Sequence, residues 1–371
     1  MKSIRWLTCS IALAGLTMAG CGRPAAEPTA SSAAPNQPAS PSQAAASKPA
    51  ASTSAPGSAS SSAKPAASAG PKLVLAYSNI TANSLPTWSA GEGGYFQKHG
   101  LNIELQYLAG GSKTLAALLA GQVQIAENGG GEIVGAVAEG ADLVAFATIS
   151  PVYPYRLEVS KDIQQPADLK GKKMGIASRG GSADIAGRVV LKKFGIDPDK
   201  DVNTIVLGDS QTRYAALLNG AIQAAMADPP NTLKIEQNGF HPLFDLAALG
   251  LPASQTVQVA PRAWVNANRP TVQALVDAEV EATARAKKDK EFVLNILRKY
   301  DKLDDPALLE DAYNFYTFHV APSLPYPKPE QFTDTIAQLS ETNPHVKNVD
   351  LSKLLDDSFV KSAADRGLDK S

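Results

Sequence analysis

Ser178-Arg179-Gly180-Gly181-Ser182 is the segment best equipped to hold a bound group. Its glycines let backbone N–H groups approach closely, and a helix that starts there favours negative charge. Arg179 has the forked geometry to clamp a carboxylate or sulfonate. The plainer roles are a helix cap for Ser182 and solvation for Arg179. Gly110-Gly111-Ser112 offers a similar arrangement earlier in the chain. So does Asn128-Gly129-Gly130, where Asn128 supplies both donor and acceptor. Turn geometry and capping explain these two segments equally well. Ser78, Asn79, Ser210 to Thr212 and Asp228 complete the polar set; Asp228 is either an acceptor for an amine or a cap. Tyr153 and Tyr155 are expected to pack where the chain crosses between lobes, and Trp88 to be core.

None of these residues makes a catalytic pattern. Gly129, Gly131 and Gly135 give G-x-G-x-x-x-G, one residue out of step with a dinucleotide fingerprint, and no acidic residue clearly ends the next strand. There is no G-x-S-x-G elbow and no H-E-x-x-H pair, and His99, His241, His319 and His345 are scattered. No metal site, cofactor or enzymatic activity is expected. A formal net charge of −1 gives no basic footprint for nucleic acid.

The elements that would position the polar segments alternate along the chain. Strands are expected at Lys72 to Tyr77, Leu101 to Leu108, Val123 to Ala126 and Leu143 to Ile149, with helices at Lys113 to Ala120 and Glu132 to Ala138. Such alternation implies parallel sheet covered by helices. Ala116-Ala117-Leu118-Leu119-Ala120-Gly121-Gln122-Val123-Gln124-Ile125-Ala126 recurs as Ala215-Ala216-Leu217-Leu218-Asn219-Gly220-Ala221-Ile222-Gln223-Ala224-Ala225. Each copy follows a strand, and each helix stops at a glycine suited to the left-handed C-cap. Two such units fit two similar lobes. Tyr153 to Val159 is the expected outward crossing and Thr256 to Val259 the return. Helices should follow at Pro270 to Lys287, Lys290 to Tyr300, Pro306 to Phe318 and Pro329 to Ser340. The expected division is 71–155 with 255–371 for the first lobe and 156–254 for the second.

The N-terminus reads differently. Lys2 and Arg5 precede an apolar run, Trp6 to Met18, that is too short for a stable membrane span. Met18-Ala19-Gly20-Cys21 then looks like a bacterial lipobox, with Met18 in place of the usual Leu. Residues 1–20 are therefore expected to be a signal peptide and Cys21 a lipidation site. Of the two cysteines, Cys9 lies in the presumed signal, so the mature body would hold no disulfide. Residues 21–70 are rich in Ala, Ser and Pro, which cannot bury enough surface to order. A flexible chain of roughly 50 residues reaches on the order of 40 Å, enough to tether a body above a membrane.

Several segments resemble the substrate-binding proteins of ABC importers for nitrate, taurine, aliphatic sulfonates and thiamine-pyrimidine precursors. They are Gly94-Tyr95-Phe96-Gln97-Lys98-His99-Gly100-Leu101-Asn102-Ile103-Glu104, Leu118 to Ala126 (with Gln124 where an acidic residue is usual), Asp168-Leu169-Lys170-Gly171-Lys172-Lys173-Met174-Gly175-Ile176, Gly181-Ser182, and Leu217 to Met226. The resemblance covers Lys72 to Ser340. It implies an α/β, two-lobed periplasmic-binding-protein fold of type II, hinged by two crossover strands. It also implies a small, anionic or heterocyclic ligand between the lobes, ABC permease subunits as partners, a monomer, and a place at the outer face of the cytoplasmic membrane or in the periplasm. Relatives that make thiamine pyrimidine use a cysteine-rich motif, which this body lacks. A surface sensor of the same fold is the alternative role. The ligand would then contact Ser78, Asn79, Gly111, Ser112, Asn128, Gly129, Tyr155, Arg179, Gly181, Ser182 and Asp228.

Overall fold

The computed structural model describes residues 70–371. The expected signal peptide, Cys21 and the tether up to residue 69 lie outside the described residues. Ten strands divide between two sheets of five. The first contains β1 (Lys72–Tyr77), β2 (Asn102–Tyr107), β3 (Ile125–Asn128), β4 (Leu143–Val152) and, from far along the chain, β10 (Pro252–Pro261), in the order β2-β1-β3-β10-β4. The second contains β5 (Arg156–Val159), β6 (Lys173–Ile176), β7 (Asn203–Val206), β8 (Ala224–Ala227) and β9 (His241–Asp245), in the order β7-β6-β8-β5-β9.

The two orders are the same pattern. β1, β2 and β3 are parallel, as are β6, β7 and β8. The fourth place in each sheet is filled by a strand that has just crossed between the lobes, or is about to. β10 lies antiparallel between β3 and β4, and β5 antiparallel between β8 and β9. The sheets are therefore mixed, not purely parallel as alternation suggested. A strand entering from the other half of the chain has no helix to reverse it, so it runs against its neighbours.

The helices follow from local sequence. Leu85–Glu92 (α1) and Tyr95–Lys98 (α2) succeed β1. Gly111–Leu119 (α3) and Gly130–Ala138 (α4) flank β3; Ser182–Lys193 (α5), Ser210–Leu218 (α6) and Asn231–Gln237 (α7) belong to the second lobe. α3 and α6, the repeated helices, each run into a glycine with positive φ, Gly121 at +71° and Gly220 at +76°. These supply the left-handed turn that stops a helix and starts the next strand. After β10 come Arg262–Ala267 (α8), Arg269–Ala286 (α9), Lys290–Tyr300 (α10) and Pro306–Phe315 (α11), whose end continues as a π-turn through Val320. The segment expected as one helix from Pro329 is a 3-10 turn, Pro329–Phe332, followed by Thr333–Leu339 (α12). Leu351–Leu354 (α13) and Ser358–Asp365 (α14) end the chain.

Alternation along the first sheet decides which helix can approach which face. Leu75, Ile125 and Phe146 point to one side, where Val272, Val276 and Val280 of α9 and Phe359 and Val360 of α14 cover them. Their neighbours Ala76, Ala126 and Ala145 point to the other side, toward Leu115 and Leu118 of α3 and Ile133 and Val134 of α4. Small residues on that face let α4 sit close to the sheet. In the second lobe, Met174, Ile176 and Leu157 pack on Ile185 and Val190 of α5, while Leu217 of α6 and Ile235 of α7 cover the opposite face. Trp88 is fully buried and stacks on Tyr300 at 4.5 Å, so it is core.

Candidate functional site

The carboxyl ends of the parallel strands in both sheets face one cavity of about 320 Å³. Loops at that end of an open α/β sheet are where ligands bind, because the backbone there is free to shape itself around them. The first lobe contributes Ser78, Asn79, Asn83 and Ser84 after β1, Ala109 to Gly111 after β2, and Glu127, Gly129 and Glu132 around the β3–α4 turn. The second lobe contributes Ala177, Ser178, Gly181 and Ser182 after β6, and Gly208, Asp209, Ser210 and Arg213 after β7. Tyr155 from the outward crossing, and Gln255 and Thr256 from the return, complete the lining.

Glycine allows the two lobes to meet here. A Cβ on Gly131 would lie 2.3 Å from the carbonyl oxygen of Gly180, and one on Gly129 would lie 2.5 Å from Ser182 Oγ. The Gly180 carbonyl is backbone and cannot yield, so a side chain at Gly131 would push the lobes apart, whereas the Ser182 hydroxyl could rotate away from one at Gly129.

Of the residues nominated from sequence, Ser78, Asn79, Gly111, Gly129, Tyr155, Gly181 and Ser182 line the cavity. Gly181, not Ser182, is the N-cap of α5, and Ser182 Oγ instead reaches the Gln255 carbonyl at 3.5 Å. The Tyr155 hydroxyl accepts from Gln255 Nε2 at 2.6 Å, and burial holds its pKa above the usual tyrosine value. Four nominated residues stand off the lining. Asn128 donates from Nδ2 to the Gly111 carbonyl at 2.7 Å, so it shapes the neighbouring loop. Ser112 and Arg179 border a smaller side pocket of about 140 Å³. Arg179 is solvent-exposed, with its guanidinium 3.5 Å from the Thr204 carbonyl.

Asp228, the fourth, is fully buried behind the cavity wall. It accepts from Ser210 Oγ at 3.3 Å and Tyr316 Oη at 3.4 Å. Burial pushes its pKa up to about 6, and the nearby Arg213 charge limits the rise.

The charged groups that do line the cavity were not singled out from sequence. Arg213 is 4% exposed and donates to the carbonyls of Gly208 at 2.6 Å and Met226 at 3.3 Å, and to Ser210 Oγ at 3.0 Å. A positive residue in the first turn of a helix opposes the macrodipole, and that was its available signal. Glu127 is buried at the end of β3 and accepts from Ser84 at 2.5 Å, from Thr87 and from Gln258 at 3.3 Å. Thr87 and Gln258 are shared with Glu279, each at 2.7 Å. Burial raises both acids, Glu279 to about 8, and for Glu127 the hydrogen bonds work against the rise. A glutamate directly after the apolar Ile125-Ala126 was the signal for Glu127. Glu132 reads from sequence as an ordinary first-turn helix acid. In the fold it is half-buried, with its Oε2 shut off from solvent and without a hydrogen-bond partner, and desolvation pushes its pKa up to about 7.

Two mixed α/β lobes that exchange strands around one shared cleft define the periplasmic-binding-protein fold. The chain belongs to the NMT1/THI5-like family, whose model matches residues 81–291. A solved protein of Bordetella bronchiseptica RB50 is similar at 25% identity and a TM-score of 0.68, covering 80% of this chain and 98% of that one. The periplasmic aliphatic sulphonate binding protein SsuA of Escherichia coli shares the fold at 23% identity and a TM-score of 0.62, over 76% of this chain and 91% of SsuA. YtlA of Bacillus subtilis strain 168, provisionally designated a binding protein, is 28% identical over 158 residues, 42% of this chain and 47% of YtlA. The chain thus spans about half the length of the curated relatives it matches. The desulfurization enzyme DSZB also has this fold, at 18% identity and a TM-score of 0.57.

Proposed function

We propose that this protein is the solute-binding component of an ABC-type importer. One observation carries the reading: a single cavity of about 320 Å³ is lined by loops of both lobes, so a solute inside it touches both. A ligand that bridges two hinged bodies favours the closed arrangement by its differential affinity, and a permease can then distinguish loaded from empty protein. That volume suits a molecule of metabolite size. Among the described residues no helix is long and apolar enough to cross a membrane. The Met18-Ala19-Gly20-Cys21 pattern supports membrane attachment through a lipid on Cys21 and the Ala/Ser/Pro tether, with the body at the outer face of the membrane.

The lining supports binding over catalysis. The serines Ser84, Ser182 and Ser210 donate to Glu127, a backbone carbonyl and Asp228, and no histidine stands among the lining residues to relay a proton from them. Among the described residues no cluster of His, Cys, Asp and Glu is arranged to hold a metal ion.

The test is a solute panel read by melting temperature and by small-angle scattering. A true ligand at 100 times its Kd stabilises by about 2.7 kcal/mol and should compact the protein. A panel that spans cations, anions and neutral heterocycles and yields neither effect would refute the reading.

A further inference from the structure

The charges around the cavity do not balance in favour of an anion. Among the described residues, the lining holds one cation, Arg213, against Glu127, Glu132 and Asp209. Arg213 is also already engaged. It serves two backbone carbonyls and Ser210, and its charge is felt by the buried Asp228. Arg179, the sequence candidate for an anion clamp, stands outside the lining with its guanidinium at the Thr204 carbonyl.

Glu132 is the acid left without a partner. Its Oε2 is buried and receives no hydrogen bond, although it borders open cavity. Its carboxyl group sits where the lobes meet: a Cβ on Gly111 would lie 2.5 Å from Oε1, one on Gly129 would lie 2.7 Å from Oε2, and one on Gly181 of the opposite lobe would lie 3.6 Å from Oε1. Three glycines thus leave room around this carboxyl, which it shares only with the small polar groups of Ser178, Ser182 and Asn128. A buried acceptor without a donor is costly, and a donor placed in the cavity would relieve that cost.

We propose, on the reading of the protein as a solute-binding component, that Glu132 receives a positively charged nitrogen of the ligand, so that the solute is a compact organic cation bearing N–H donors, such as an alkylammonium, an amidinium or a protonated amino-heterocycle. A charge-assisted N–H···O bond to Glu132 would complete the acceptor and offset its charge. Its position beside Gly181 of the opposite lobe lets a nitrogen held there touch both lobes, which ties recognition to closure.

The experiment compares wild type, Glu132→Gln and Glu132→Asp by calorimetry at pH 8. The cationic arm is putrescine, agmatine, benzamidine and protonated 4-aminopyridine; the anionic arm is butanesulfonate, nitrate and benzoate. At least one cation should bind wild type, lose tenfold or more in affinity with Glu132→Gln, and keep part of it with Glu132→Asp. Binding confined to the anionic arm would leave the solute-binding reading standing and overturn the cation assignment. Cation binding that Glu132→Gln leaves unchanged would overturn the role of Glu132. Silence in both arms would overturn the cation assignment and leave the solute-binding reading to the neutral heterocycles of the wider panel. Glu132→Gln removes a partly desolvated charge, so its unliganded form should melt no lower than wild type; if it fails to fold, Glu132→Asp carries the comparison by requiring a loss for cations alone.

Discussion

Replacing Arg213 by Met tests how the second lobe's side of the cleft is held. The side chain is buried, so methionine can fill most of its volume while removing the charge and every donor. Two losses follow. The carbonyls of Gly208 and Met226 lose their guanidinium donors, and Asp228 loses the nearest positive charge that limits its pKa. In the wild type, Asp228 moves from 3.8 to about 6. That shift corresponds to roughly 3 kcal/mol of stability forfeited once the group is forced to ionise. Without Arg213 the folded pKa rises further, and a buried carbonyl such as that of Met226, left without its guanidinium donor, costs about 1–3 kcal/mol. The sign with pH follows. Because the folded pKa lies above the unfolded one, the Asp228 contribution is intact below about pH 4 and is lost as pH climbs through 6. The variant should therefore be far less stable than wild type at pH 8 and closer to it at pH 5, where Asp228 is mostly protonated in both. Urea unfolding followed by circular dichroism at the two pH values measures the gap. A gap as wide at pH 5 as at pH 8 would refute the Arg213–Asp228 coupling and leave only packing and carbonyl satisfaction as the role of Arg213.

Three further outcomes are expected. Burial raises Glu132 to about 7 and Glu158, Glu279 and Asp301 to about 8. Their stabilising contributions are present in acid and fall away between about pH 4.5 and 8. Surface acids held down by partners, such as Asp162 at about 2 beside Ser160 and Lys172, lose theirs only below about pH 4, so melting temperature should peak near pH 5. A flat profile from pH 5 to 8 would contradict this burial pattern. Gly131→Ala would drive a methyl into the Gly180 carbonyl across the lobe junction, so ligand affinity should fall at least tenfold while the unliganded fold persists; unchanged affinity would mean that this contact is absent from the bound state. Cys21→Ser should release the protein from membranes, read by fractionation and by mass spectrometry of the mature N-terminus, and retention on the membrane would end the lipid-anchor proposal.

How far the sequence reached differs between fold and site. The duplicated helix–glycine–strand segment, with Gly121 and Gly220, was enough to expect two similar α/β units, because apolar periodicity and a left-handed C-cap are local properties. The polar loops after the strands were legible for the same reason: Ser78, Gly111, Gly181 and Ser182 sit where strand gives way to helix. The antiparallel placement of β5 and β10 was not legible, since it depends on partners more than 60 residues away. Nor were the C-terminal helices α13 and α14 read, although α14 buries Phe359 and Val360 against the first sheet.

The primary structure by itself determined the alternation of elements, the two repeated units and the loops that could form a cleft, because each is written in spacing of a few residues. Only the tertiary structure decided which charges face that cleft. Arg179 looked placed for ligand and lies outside the lining, while Arg213, Glu127 and Glu132 looked ordinary and face the cleft, the first two buried and the third half-buried. The physical reason is that burial and charge pairing are properties of an environment assembled from both lobes, and a side chain carries no local mark of the neighbours that folding will bring to it.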